Sequence, residues 1–581
     1  MRQERDRQAG AAAVVEARRR LAAGDAQGAF RALRACAVEH PAYAPAYVEA
    51  ARLLLSRGDR GGATQLLSDA LGRIEDEGRG EVAGALATLL ADIRVTGWHP
   101  RLEADVLACL AEPEIDAQVL ARTAADLLLA KYPQGAGADL DDLAKDPLGL
   151  TFLSRCLNVQ PAMEVWIEEV RRRLVEQAGR DAALPESARG LGCALALQAF
   201  ACEYLTPRDA AEGAVVKQLH GAGDQVGAVI IAAFSRPLSA LESLDPAQIS
   251  GIEAIGDGLG RLLLKRTRDD LRTEQALAEV IPGLQGLAGE ADAVSRKVRQ
   301  QYEANPYPRW LTPPLADGRR LSDDLARLGP FTDGSPEVRR ILIAGCGTGY
   351  EAIDIARREP QAAVVAVDLS RASLAYGRRM ADELGIGNLD FRHGDILDLA
   401  GLEADFDLVT CTGVLHHMAD PTQGLKALRA VARPGAPIRV ALYSHRARAP
   451  VRAAHEVIAR EGLEPTAAGV RALRRIAFAA PAGSALNALT SSDDFHSVSG
   501  CRDLVFHVHE QAFTLPQIAD LAMQAGVEVI GLDAPPPAVS AFRQAYGASA
   551  DLLDLGLWDR LEQAQPFLFA AMYPLWLRAW S

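Results

Sequence analysis

Residues 341 to 349 read Ile-Leu-Ile-Ala-Gly-Cys-Gly-Thr-Gly, an apolar run that enters directly into Gly345, Gly347 and Gly349. Glycines in such a turn let the backbone pass close under a ligand with no Cβ in the way, and the helix expected from Tyr350 to Arg358 aims its N-terminus at a ligand carboxylate. The spacing is GxGxG. A nicotinamide fingerprint needs its third glycine one place later, where Tyr350 stands, so the dinucleotide reading loses ground. Nineteen residues beyond Gly349, Asp368 closes a second apolar run, Ala363 to Val367. A carboxylate at a strand's C-terminal end accepts from both ribose hydroxyls, which disfavours a 2′-phosphorylated ligand. In Gly394-Asp395-Ile396, Asp395 can accept from an adenine amino group while Ile396 covers the ring. His416 and His417 follow a further apolar run, and an imidazole there could take a proton from a nitrogen or oxygen nucleophile.

These residues need a scaffold, and the intervening chain supplies one. A helical stretch from Arg371 to Leu384 leads to Leu389–His393, a fourth strand is expected from Phe406 to Cys411 before Thr412-Gly-Val-Leu-His-His417, and a fifth runs from Ile438 to Tyr443. Strands and helices alternate at the pitch of a doubly wound parallel sheet.

Residues 337 to 445 thereby resemble the class I S-adenosylmethionine-dependent methyltransferase domain, with its glycine loop, ribose acid, adenine acid and fourth-strand segment in order. The resemblance implies a Rossmann-like seven-stranded α/β sheet and S-adenosylmethionine as cofactor. It places Gly345, Cys346, Gly347 and Gly349 at the methionine end, Asp368 with Leu369 at the ribose, Asp395 with Ile396 at the adenine, and Thr412 with Gly413 on the floor of the site. Paired histidines after the fourth strand accompany varied substrates in such domains and identify no single reaction. The Asn-Pro-Pro-Tyr tetrad of base and glutamine-amide methylation is absent, since Thr412-Gly-Val-Leu stands there, which argues against both activities.

Before the first strand lies Gln301-Tyr-Glu-Ala-Asn-Pro-Tyr-Pro-Arg-Trp310, whose prolines end a helix and stiffen an extended segment. It resembles the lead-in of bacterial methyltransferases that carry tetratricopeptide repeats. Tyr302 and Tyr307 are expected to border the methyl group, with Tyr307, His416 and His417 as catalytic candidates and Asn305, Arg309, Trp310 and Tyr443 facing the acceptor. The alternative is a rigid linker whose aromatics pack on the sheet. Residues 446–525 form an insertion expected to cap the substrate side, where His507 and Glu510 are offered as acceptor contacts. His507, His509 and Glu510, with His496, lack any recognised ligand spacing, so no metal is expected. Residues 526–581 complete the sheet and end in an aromatic tail.

Positions 34 apart in the N-terminal segment match: Ala17 with Ala51, Arg18 with Arg52, Leu21 with Leu55, Gly24 with Gly58, Asp25 with Asp59, Gly28 with Gly62, Ala29 with Ala63 and Leu33 with Leu67. That period resembles tetratricopeptide repeats over residues 1–75, with the Gly-Asp pairs at hairpin turns and the Gly-Ala pairs where helices approach closely. Leu89 keeps the phase of a third copy, but Asp92 stands in place of the turn glycine. From 76 to 298 apolar residues recur at helical spacing between Pro, Gly and Asp clusters, giving an all-α middle region ahead of the 299–336 lead-in. Helical repeats suit either recruitment of a polypeptide or assembly into a homo-oligomer.

With 581 residues, three or four domains of roughly 150 are expected. Net charge is −14 and no Lys/Arg run is long enough to track phosphates, which disfavours nucleic acid as a partner. Eight cysteines without CxxC spacing suit a reducing, cytoplasmic setting; no signal core or membrane span is apparent. The expectation is methyl transfer to a protein or peptide side chain, nitrogen ahead of oxygen, with the repeats recruiting it. The alternatives are a small-molecule biosynthetic methyltransferase whose repeats only oligomerise, and a cofactor-binding scaffold without turnover.

Overall fold

The computed structural model describes residues 2–74, 78–91, 93–113, 115–207, 210–241, 244–284, 292–313, 320–328, 337–402, 405–569 and 571–580. The chain divides into two compact units, Met1–Lys265 with Leu311–Asp317 and Arg266–Trp310 with Gly318–Ser581. Among the described residues no helix is long and apolar enough to cross a membrane.

The first unit is helical. Arg2–Ala22 pairs with Ala26–Glu39, and Ala44–Ser56 with Arg60–Leu71. The two hairpin turns share one geometry: Gly24 and Gly58 adopt φ of 81° and 80°, and the carboxylates of Asp25 and Asp59 accept from the amides of Gly28 and Gly62 at 2.7 and 2.8 Å. Glycine serves the left-handed turn and aspartate caps the second helix. Gly28 and Gly62 have a different reason from the close helix approach expected of them, since a Cβ at either position would overlap its own capping carboxylate. Ala29 and Ala63 are fully buried. The same turn occurs again at Gly223-Asp224-Gln-Val-Gly227-Ala228, where Gly223 has φ 91° and Asp224 accepts from Gly227 N at 2.9 Å. It stands out of phase with the 34-residue period, so a search at that spacing misses it. Arg79–Leu90 contributes Leu89 to the core; Asp92 lies outside the described residues. One core extends from Val14 to Leu264 and spans the expected division at 75.

The second unit is built on seven strands: β1 Arg340–Ala344, β2 Ala363–Asp368, β3 Leu389–His393, β4 Leu408–Thr412, β5 Pro437–Tyr443, β6 Val527–Leu532 and β7 Met572–Ala579. Their order is β3-β2-β1-β4-β5-β7-β6, with β1 to β5 parallel and β7 antiparallel to both its neighbours. Helices cover both faces, so β1 alternates between two cores: Leu342 and Ala344 join one, Ile341 and Ile343 the other. The strand order reverses between β1 and β4, and the chains leaving these two strands separate there, which opens a crevice at their C-terminal ends.

Several boundaries differ from expectation. Phe406 makes an isolated bridge to Ala432 and β4 runs on to Thr412. Helices continue past 265, but the first unit ends there: Asp270–Val280 packs on Arg371–Glu383, where Arg379 bonds Glu274 at 2.9 Å, and Gly283 bridges to His393 at the edge of β3. The cap also ends earlier than 525. Helix Leu515–Ala525 buries Leu515 and Ile518 in the core of the sheet, leaving 446–513 as the insertion proper.

Asp59→Ala is expected to cost about 1 kcal/mol, the usual worth of an N-cap. Asp224→Ala should cost more, about 2 to 3 kcal/mol, because Leu184 N at 2.8 Å and Arg189 at 3.1 Å lose a partner as well. Denaturant unfolding monitored by circular dichroism checks the order of the two variants.

Candidate active site

The crevice holds a cavity of about 300 Å³. Its base is the junction of β1 and β2. Val367 O accepts from Gly345 N at 2.8 Å and Cys346 N at 3.0 Å, while the carboxylate of Asp368 accepts from Gly347 N at 2.8 Å and Ser370 N at 2.9 Å. Each carboxylate oxygen therefore has one backbone donor and lone-pair capacity left over. Burial raises the Asp368 pKa to about 6, with the Ser370 and Gly347 amides working the other way.

Gly345 and Gly347 line the cavity with φ of 76° and 54°. The space that a Cβ would need is taken by protein: Val414 at Gly345, and Tyr307 O, 2.8 Å away, at Gly347. Gly349, at φ 83°, caps helix Tyr350–Arg358 and packs on Gly377 and Phe391 without lining the cavity. Cys346, Leu369, Asp395, Ile396, Thr412 and Gly413 all line it. Asp395 also caps the short helix Ile396–Gly401 through Leu397 N at 3.0 Å. Sequence reasoning overlooked Glu351 in the first turn of helix Tyr350–Arg358. Its carboxylate accepts from Thr412 Oγ1 and Arg439 Nη1, both at 3.3 Å, and burial raises its pKa.

Opposite this cradle the lead-in and the insertion meet. Tyr302 O–H donates to Asp503 at 2.6 Å and Tyr307 O–H to Asp494 at 2.7 Å, and burial raises both tyrosines well above their ordinary range. Burial, with Asp494 nearby, lifts Asp503 to about 7 despite the Tyr302 bond and Arg448. Burial also holds His416, His417 and His507 below the ordinary histidine value, His507 at about 4, so all three rings are neutral. His417 Nδ1 lies 2.9 Å from the His509 carbonyl and must donate to it, which leaves Nε2 as a bare lone pair on a residue that lines the cavity. His507 Nδ1 accepts from His509 N at 3.1 Å, so its proton sits on Nε2, 3.2 Å from the Tyr302 oxygen. The hydrogen bonds then run one way, from His507 through Tyr302 to Asp503.

His416 is fully buried behind this layer, stacked on Tyr443 at 3.7 Å between centroids, and neither of its nitrogens has a partner among the described residues. It supports Tyr443, which lines the cavity, and does not itself line it. Five expected acceptor contacts do not line the cavity: His507, stacked on His417, stands behind it, and four others are held elsewhere. Trp310 is buried and donates to Thr348 O, Arg309 lies over Tyr376, Asn305 turns back to Gln301 O, and Glu510 pairs with Arg448. Trp310 and Arg309 act as the anchors that the linker alternative foresees. Asp494, Asp503 and Met572 had no local signal in sequence; elements remote along the chain bring them here.

His417, Asp503 and His507 offer ligand atoms within 4.8 Å of one another. The two imidazoles, however, are stacked 3.6 Å apart and 20° from parallel. Lone pairs in nearly parallel ring planes do not converge on one ion at the ~2.0–2.1 Å that imidazole ligation requires, and the proton on His507 Nε2 blocks that atom as a ligand.

A methyltransferase-domain family model matches residues 339–466. An uncharacterised protein of Synechococcus sp. is 33% identical over 180 residues, 30% of this chain and 42% of that protein. A ubiquinone biosynthesis O-methyltransferase of Hahella chejuensis is 40% identical over 99 residues, 17% of this chain and 40% of that one. The chain thus spans about two fifths of the length of these curated relatives. A solved structure of PKMT2 from Rickettsia typhi with AdoHcy aligns at TM-score 0.35 and 16% identity, over 44% of this chain and 52% of that one. The second unit carries a class I methyltransferase domain, and S-adenosylmethionine is its cofactor.

Because Asp368 binds a proton up to about 6 in the folded protein and an unfolded aspartate only to about 3.9, its contribution to stability is full below the lower value and is lost as pH rises through the higher. A ligand diol that bonds the ionised carboxylate reverses the preference. S-Adenosylhomocysteine affinity is therefore expected to rise from about pH 5 to about pH 7, and Asp368→Asn to flatten that rise; Asp368→Ala should lose roughly 2 to 4 kcal/mol of binding. Calorimetry across that pH range checks all three outcomes.

Proposed function

We propose that the protein transfers a methyl group from S-adenosylmethionine to a side chain of a protein or peptide, at nitrogen ahead of oxygen. The observation that carries this reading is one cavity lined both by the strand-end cradle and by Tyr302, Tyr307, His417, Tyr443 and Asp503. When bound, the cofactor supplies an electrophilic methyl group on a sulfonium. Asp368 would use its remaining lone pairs on the ribose hydroxyls, Asp395 and Ile396 would hold the adenine, and the Gly345–Gly347 backbone with Glu351 would hold the methionine end. Tyr302 and Tyr307 close the opposite side and exclude water, so that a nucleophile is held aligned and desolvated, which is most of what this chemistry asks of a protein. His417 Nε2 is placed to accept a hydrogen bond from the nucleophile and so orient it.

The polypeptide acceptor is supported by the first unit, whose repeated helix hairpins resemble repeat architectures that offer extended surfaces to chains. A small-molecule O-methyl acceptor is the second reading, favoured by the match to ubiquinone biosynthesis O-methyltransferases over about a hundred residues.

Incubation with methyl-labelled cofactor and an extract of the producing cells separates the readings. Label is expected in acid-precipitable, protease-sensitive material that survives mild base; label in the organic extract returns the small-molecule reading, and none at all the scaffold. His417→Asn, which keeps a donor for the His509 carbonyl, should lower turnover about 10²-fold while changing S-adenosylhomocysteine affinity little. Equal losses in both quantities would remove His417 from orienting the nucleophile.

A further inference from the structure

The acceptor side of the cavity is specialised for one kind of group. Asp503 is 5% exposed, lines the cavity, and spends Oδ1 on the Tyr302 hydroxyl; Oδ2 accepts no hydrogen bond among the described residues. The direction of the His507–Tyr302–Asp503 chain keeps the Tyr302 hydrogen on Oδ1, so Oδ2 is the oxygen left to take a proton or, when ionised, to accept a hydrogen bond. His417 Nε2, also without a partner among the described residues, is a second bare acceptor, and a ring nitrogen of His417 lies within 4.8 Å of ligand atoms of Asp503 and His507. Tyr302, Tyr307 and Tyr443 supply aromatic surface around them.

The charged groups facing Asp503 are Asp494, Glu510 and Arg448. Arg448 is committed elsewhere: it bonds Glu510 through Nε at 2.9 Å and Leu504 O at 3.1 Å, and its guanidinium lies 3.9 Å over the Tyr443 ring. The chamber therefore holds buried carboxyl groups, unused acceptors and π faces, with Arg448 already paired. An anionic acceptor such as a carboxylate or phosphate would meet Asp503 and Asp494 as like charges. A neutral hydroxyl could donate to only one of the two acceptors and would bring no charge to meet the carboxylate. A cation with several N–H donors satisfies every group present.

We infer, building on the proposed methyl transfer, that the acceptor is an aliphatic amine that enters as its ammonium ion and is recognised and deprotonated by Asp503. One N–H bond breaks, the proton passes to Asp503 Oδ2, and the electron pair remains on nitrogen as the nucleophile; the ammonium becomes a neutral amine and the carboxylate a carboxylic acid. Tyr302 is a positioning residue that orients the carboxylate. The raised Asp503 pKa, about 7 and caused mainly by burial, suits a group that must take and return a proton near neutrality.

Sinefungin tests the inference without knowledge of the acceptor, because it places a protonated amine where the cofactor carries its reactive methyl. By calorimetry near neutral pH the wild type is expected to bind sinefungin about tenfold or more tightly than S-adenosylhomocysteine, the value of a charge-assisted bond in a buried site. Asp503→Asn should bring the two affinities to within about twofold while the S-adenosylhomocysteine affinity changes less than about threefold. Asp503→Ser, expected to behave alike, serves if the amide variant does not fold, and Tyr302→Phe, which keeps the charge, should retain the preference. A wild type without the preference, or an Asp503 variant that keeps it, overturns the ammonium site. Failure of the wild type to bind S-adenosylhomocysteine overturns the cofactor reading instead.

Discussion

Buried negative charge is the constraint around which the second unit is arranged. Glu351, Asp368, Asp494 and Asp503 sit at or beside a single cavity, and burial works against ionisation at each of them. A buried carboxylate persists only where donors meet it. Asp368 takes two backbone amides, Glu351 a threonine and an arginine, and Asp494 and Asp503 one tyrosine hydroxyl each. These donors come from the glycine turn, from β4 and β5, and from the lead-in segment, so meeting the carboxylates and assembling the site are the same event.

The two tyrosine–aspartate bonds join residues 201 and 187 positions apart in the chain. They tie the lead-in, which precedes β1, to the insertion, which follows β5, and so close the open side of a sheet whose switch point would otherwise face solvent. Behind them the stacked pairs His417–His507 and His416–Tyr443, with Arg448 over Tyr443, form a layered wall. Aromatic stacking holds these rings in definite orientations, and the hydrogen bonds to the backbone of His509 then decide which ring nitrogen carries a proton. Neutral imidazoles kept this way are weak bases with fixed lone pairs, a state suited to guiding a proton over short distances.

In the helical unit a six-residue pattern recurs, Gly-Asp-x-x-Gly-Ala, at 24, 58 and 223. The first glycine makes the left-handed turn, the aspartate caps the helix, the second glycine leaves room for that cap, and the alanine gives a small buried contact. Its third occurrence shows that the device belongs to the helix hairpin itself and does not depend on a fixed repeat length.

What was legible in sequence was local. The glycine turn, the strand-ending Asp368, the Asp395-Ile396 pair and the alternation of strands and helices each depend on residues within a few positions of one another, and short-range rules of conformation and hydrophobic period suffice to read them. The Gly-Asp turns were legible for the same reason, although the purpose of Gly28 and Gly62 appeared only when the cap was seen to occupy the space of a Cβ. Tertiary structure alone decided the rest. Asp494 and Asp503 carry no motif and gain their role from tyrosines nearly two hundred residues away; His416 and His417, adjacent in sequence, divide into a buried support and a cavity wall; Trp310 and Glu510 face inward to anchors and not toward ligand. The physical reason is that desolvation, ring stacking and the pairing of buried charge depend on distances through space, and no pattern along the chain records which remote donor will arrive to satisfy a buried acid.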